Sequence, residues 1–98
     1  MGGKGSVSAA ARMKVRRSIC KNPEIVVSGL SLIPLRTKSA EKELNGQVAG
    51  EDAIKRTAAI AAAEILELGN SEDGYERSLI EIAVARTLRS IMEGSMPV

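Results

Sequence analysis

The chain has 98 residues, a formal charge of +2, 44% hydrophobic residues and one aromatic residue, Tyr75, with no Phe, Trp or His. That length makes one domain with a modest aliphatic core, and a core this thin is one that partners often complete. Without histidine the commonest general base and nitrogen metal ligand are missing, and the single Cys20 allows neither an internal disulfide nor a thiolate zinc site.

The charge is divided unevenly. Residues 1–23 carry Lys4, Arg12, Lys14, Arg16, Arg17 and Lys21 and no acid, while the remainder holds eight bases and twelve acids. An arm of +6 on a body of −4 attracts polyanions.

In chain order, residues 1–5 contain three glycines and read as a flexible start. Ser6 or Ser8 then caps a predicted helix ending near Lys21, with Val7, Ala11, Val15 and Ile19 as an apolar stripe and the bases on its flanks. Asn22-Pro23 ends that helix and has the form of a new helix start. Residues 25–33 are β-branched like a strand but follow a helix cap. A short buried helix is the expectation, because a lone strand would have no partner. Ser39 caps a short helix over 40–45.

The strongest pattern lies in residues 53–94. Ile54, Ala58, Ala61, Ile65 and Leu68 mark one face of a helix over 51–68, which stops at Gly69-Asn70. Ser71 caps a second helix reaching about Glu93, with Ile80, Val84, Thr87, Leu88 and Ile91 on one face. Its opposite side carries Tyr75, Leu79 and Ile82, which reads as an interface with another chain or as the mark of a central helix. The expected fold is all-α: a small bundle of three to four helices, with a basic N-terminal helix and a C-terminal helical hairpin. The divisions are a flexible start and basic helix at 1–22, a bundle body at 23–94 and a tail at 95–98.

No motif supports catalysis. Cys20 lies among Arg16, Arg17 and Lys21, which can lower a thiol pKa, but a half-buried structural cysteine is the plainer reading. Glu64/Glu67 and Glu72/Glu76 are carboxylate pairs, and acids at the edge of an apolar helix face are ordinarily solubilising. The expectation is therefore a non-enzyme that needs no cofactor and no metal. It is read as a subunit gripping nucleic-acid backbone through Lys4, Arg12, Lys14, Arg16, Arg17 and Lys21, with Arg86 and Arg89 extending the track. Its partners are other subunits or copies of itself, in the cytoplasm or a nucleoprotein particle, and not in a secreted setting. Two alternatives stand beside it. Met1-Gly2-Gly3-Lys4-Gly5-Ser6 fits N-myristoylation at Gly2, with the basic helix as a second membrane signal. The other is a protein-only adaptor docking on an acidic partner.

Overall fold

Residues 7–16 contain a second periodicity that the four-residue stripe conceals. Val7, Ala9, Ala11, Met13 and Val15 alternate with Ser8, Ala10, Arg12, Lys14 and Arg16, the two-residue repeat of a half-buried strand. In the computed structural model, which describes residues 7–29, 34–68 and 74–95, this stretch is strand β1 (Ser8–Arg16). Its apolar residues pack on the core and the alternate side chains are exposed. Strands β2 (Ile19–Ser28) and β3 (Leu35–Arg36) complete an antiparallel sheet in the order β1-β2-β3. Helices α1 (Lys38–Leu44), α2 (Glu51–Leu68) and α3 (Gly74–Ser95) follow, with α3 against β1, α1 against β2 and α2 packed between α1 and α3.

The architecture is α+β, which corrects the all-α expectation. The basic N-terminal helix is instead a β-hairpin, and residues 25–28 are strand. The helices over 51–68 and the C-terminal segment stand where the 3.6-residue period puts them, although Leu68 is exposed. Gly2, Lys4, Leu30, Ile33, the turn at Gly69 to Ser71 and residues 96–98 lie outside the described residues.

Two backbone devices build the hairpin. Arg16 pairs with Ile19 across a two-residue turn in which Arg17 (φ 51°) and Ser18 (φ 66°) are both left-handed. That is type I′ geometry, which Asn-Gly supplies most easily. Further along, Arg12 faces Glu24 but Lys14 faces Lys21, so Asn22 and Pro23 both stand opposite Met13. This β-bulge accommodates a proline that cannot donate to the ladder, and Asn22 takes φ 52°. The extra residue also switches the strand's parity, so Pro23, Ile25 and Val27 face inward.

The edge of β2 away from β1 is closed almost residue by residue. β3 covers Val26 and Val27. The Thr37 N–H donates to the Ile25 carbonyl at 2.9 Å, but the Thr37 carbonyl accepts the Glu41 N–H that begins α1. The Ile25 N–H therefore donates to the Glu41 carboxylate instead, at 2.8 Å. Asn45 Oδ1 accepts the Asn22 N–H, Gln47 O and Gly46 N serve Cys20, and Ala49 N serves the Ser18 carbonyl. Glu41 is 8% exposed and also accepts Arg36 Nε through both oxygens, at 2.9 and 3.1 Å.

The core is aliphatic. Cys20 and Ile25 from the sheet, Leu44 from α1, Ile65 from α2 and Ile80 and Leu88 from α3 are its sealed members. Ala58, Ala61 and Ala62 of α2 are buried in it, and their small side chains let neighbouring elements approach.

Two outcomes follow from these backbone devices. Glu41→Ala strands the Ile25 N–H and is expected to destabilise the fold by about 2 kcal/mol in denaturant unfolding, with Glu41→Gln recovering part of the loss. The double change Arg17→Asn and Ser18→Gly relieves the turn and is expected to add roughly 1 kcal/mol, read as a higher Tm with the circular dichroism spectrum unchanged.

Candidate functional site

Among the described residues the helices cover one face of the sheet and leave the other open. On that open face the even-numbered residues of β1 stand beside Lys21, Glu24, Val26 and Ser28 of β2. Arg12 Nη2 and Glu24 Oε2 form a cross-strand ion pair at 2.8 Å. That hydrogen bond, with the guanidinium charge, holds the Glu24 carboxyl below its usual range. The next pair, Lys14 opposite Lys21, sets like charges side by side, which disfavours the pairing. Arg16 and Arg17 follow at the tip, where they and Lys21 ring a shallow concavity over Ile19. Among the described residues no acid pairs with Lys14, Arg16, Arg17 or Lys21.

The other residues singled out in the sequence are scattered. Arg86 is exposed on α3. Arg89 is consumed by Glu51, donating from Nε at 2.8 Å and Nη2 at 3.0 Å, a strut between the start of α2 and the end of α3. The contact lowers the Glu51 pKa, chiefly through the hydrogen bond, and raises that of Arg89. Tyr75 and Ile82 are 67% and 56% exposed and Leu79 is half-buried, with a groove between α2 and α3 running past Lys55, Ala58, Glu81, Ile82 and Ala85.

Cys20 is fully buried, and burial pushes its thiol up, so the arginines and lysine nearby in sequence do not activate it. Glu64 caps a neighbouring helix: its carboxylate accepts the Ser39 N–H at 3.0 and 3.2 Å, at the start of α1. The described residues contain no cluster of three His, Cys, Asp or Glu that could hold a metal ion. No helix among them is long and apolar enough to cross a membrane. Sequence reasoning missed Glu41 and Asn45 and the capping role of Glu64, which depend on contacts over 16 to 25 residues. A polar groove of about 430 Å³ lies over the first two of these, lined by both signs of charge, including Glu24, Arg36, Lys38 and Lys42.

A family model described as the CO dehydrogenase flavoprotein C-terminal domain matches residues 5–91. The chain belongs to that family. Among solved structures, it superposes on quinoline 2-oxidoreductase from Pseudomonas putida 86 with a TM-score of 0.78 at 19% identity, covering 93% of this chain and 33% of that one. The Cu,Mo-CO dehydrogenase in its cyanide-inactivated form gives 0.72 at 19%, covering 89% and 31%. A carbon monoxide dehydrogenase from Hydrogenophaga pseudoflava that lacks the Mo-pyranopterin moiety of its cofactor gives 0.64 at 18%, covering 83% and 29%. At these identities the likeness is one of fold, and the chain spans about a third of the length of each of these three structures. A comparison with curated proteins found no match.

Membership corrects the functional expectations. The family is a domain of a redox flavoprotein, so the non-enzymatic nucleic-acid-binding subunit, its nucleic-acid partner and the membrane and free-standing adaptor alternatives fall. The physical reason is that the basic helix does not exist. Its bases lie along a strand hairpin, with Arg12 paired to Glu24 and Arg89 to Glu51.

A flavoprotein needs a seat for the flavin, with an apolar slot for a wide planar ring and N–H groups turned toward phosphate. The described residues do not provide one. Tyr75 is the one aromatic side chain and is exposed, the grooves are open, and no parallel strand leads through a glycine turn into a helix.

The ion pairs fix the direction of a pH response. Hydrogen bonds from Arg12 and Arg89 lower the folded-state pKa values of Glu24 and Glu51, so their stabilisation is present above the unfolded value and is lost as pH falls through the folded one. Thermal unfolding between neutral and acid pH is expected to show Tm falling below about pH 4.5, with a shallower fall in Glu51→Gln.

Proposed function

We propose that the chain acts as the C-terminal domain of the flavoprotein component of an oxidoreductase, built on the plan of CO dehydrogenase. It contributes docking surface, while the flavin is seated on another part of that component. The observation that carries this reading is the family match over residues 5–91. Two features of the described residues agree with it: a fold that covers the sheet on one side only, and side chains that offer the flavin no slot. Its partners are then protein: the flavin-bearing portion and the subunits it meets. An open sheet face and an exposed groove on α2 and α3 give such neighbours two sides to pack on.

The test is affinity isolation of the tagged chain from its own source. The expected eluate contains a second polypeptide and a flavin absorption spectrum, whereas the chain purified alone shows no flavin spectrum and does not titrate with added flavin. An eluate without flavin would overturn the reading. Tight flavin binding by the isolated chain would overturn the assignment of the seat to another part.

A further inference from the structure

The edge of β1 is the unfinished part of this sheet. In an antiparallel pair, residues that do not bond to each other turn their N–H and C=O groups outward. Cys20 bonds to Gln47 and Gly46, and Ile25 bonds to Thr37 and Glu41, so their β1 partners, Val15 and Ala11, turn their backbone groups away from β2. Ala9 does the same, and its carbonyl accepts the Thr87 hydroxyl of α3 at 3.2 Å. Among the described residues, the outward groups of Ala11 and Val15 have no partner.

Edge strands are normally blunted by a proline, an inward-pointing charge, a bulge or charged side chains along the edge. β1 has no proline and no inward charge, its inward residues being Ala9, Ala11, Met13 and Val15, and the bulged residues belong to β2. The device it does carry is charge on the open face, which blunts pairing with a like-charged strand and leaves an acidic one free to add. Arg12, Lys14 and Arg16 recur at every second residue, and only Arg12 is neutralised. That spacing opposes a second copy of this chain, because pairing β1 with β1 would place three bases from each copy on one face. It suits a strand with acids at alternate positions.

We propose that the β1 edge from Ala11 to Val15, with Lys14, Arg16, Arg17 and Lys21 beside it, is a docking site for an extended acidic segment of a partner protein, which adds as a fourth strand. Main-chain hydrogen bonds supply the pairing, and the alternating bases select acids at every second residue. The proposal rests on the domain reading for the identity of the partner. It also accounts for a feature that weakens the isolated fold, the facing pair Lys14 and Lys21, because an acidic strand relieves that repulsion directly.

The test uses the full chain and a labelled peptide of the sequence Thr-Glu-Thr-Glu-Thr-Glu-Thr-Glu-Thr. Binding is expected to weaken roughly tenfold between about 50 mM and about 300 mM salt. In the complex, the amides of Ala11 and Val15 become protected from hydrogen exchange, while those of α2 and α3 keep the protection they had. The double variant Lys14→Glu and Arg16→Glu should lose about tenfold or more in affinity with its helical signal unchanged. A peptide of the same composition with its acids in one block should bind more weakly and protect neither amide. Equal binding of both peptides without that protection would mean a diffuse polyanion site and overturn the proposal, as would no binding at low salt. Neither result would touch the flavoprotein reading, which stands or falls on flavin in the affinity eluate.

Discussion

A strand ladder that runs directly into a helix is short of one acceptor. The carbonyl at the junction can serve the neighbouring strand or the first turn of the helix, and here the Thr37 carbonyl serves the helix. The Glu41 side chain, one turn into α1, returns to take the orphaned Ile25 N–H and holds Arg36 as well. A buried N–H without a partner is strongly disfavoured, so this carboxylate fixes where α1 can lie against β2. The rest of the helical layer is set from there. Glu64 of α2 reaches the Ser39 N–H at the start of α1, Arg56 of α2 stands 3.7 Å from Glu43 of α1, and Arg89 of α3 clamps Glu51 of α2. The last two are exposed or half-exposed and contribute modestly, so they orient helices that the aliphatic core already holds.

Because β3 is only two residues long, most of the second edge of β2 is finished by groups that are not strand at all. Asn45, Gly46, Gln47 and Ala49 lie along it after α1 has ended. The connection between α1 and α2 thus works as a substitute strand, which is why Ile19 and Val48 form an isolated bridge. That edge of β2 is therefore complete by construction. Incompleteness remains at the β1 edge and on the open face, and a domain of this size, with one exposed tyrosine as its aromatic residue, has little side-chain volume for a second layer of its own.

The helices over 51–68 and in the C-terminal segment were legible in the sequence because Ile54, Ala58, Ala61 and Ile65, or Ile80, Val84 and Leu88, step by three and four in long uninterrupted runs. The hairpin was not. Val7, Ala11, Val15 and Ile19 are four apart, and four is a multiple of the strand repeat as well as close to the helical turn. The deciding residues are Ala9 and Met13: alanine is the strongest helix former, and methionine is as much at home in a helix. The turn is Arg17-Ser18 where Asn-Gly would have declared it, and Asn22-Pro23 serves a bulge while having the form of a helix cap. Of the candidate site, the density of bases was legible. That Arg12 and Arg89 are spoken for was not, because Glu24 and Glu51 lie 12 and 38 residues away.

Charge density is a property of sequence, whereas a binding track is a property of surface, and this chain separates the two. Helical spacing would spread five bases around a cylinder, with an apolar seam between them. Strand spacing instead lines up Arg12, Lys14 and Arg16 on one side and brings Lys21 across to join them, leaving the backbone edge of the same strand open. Phosphate contacts need only the charges, so they would be indifferent to that edge. A protein strand can use the charges and the edge together, because its main chain meets the ladder while its alternate side chains meet the bases. The folded arrangement therefore favours a polypeptide partner even though the composition alone suggests a polyanion, and it does so through the two-residue period that the four-residue stripe concealed.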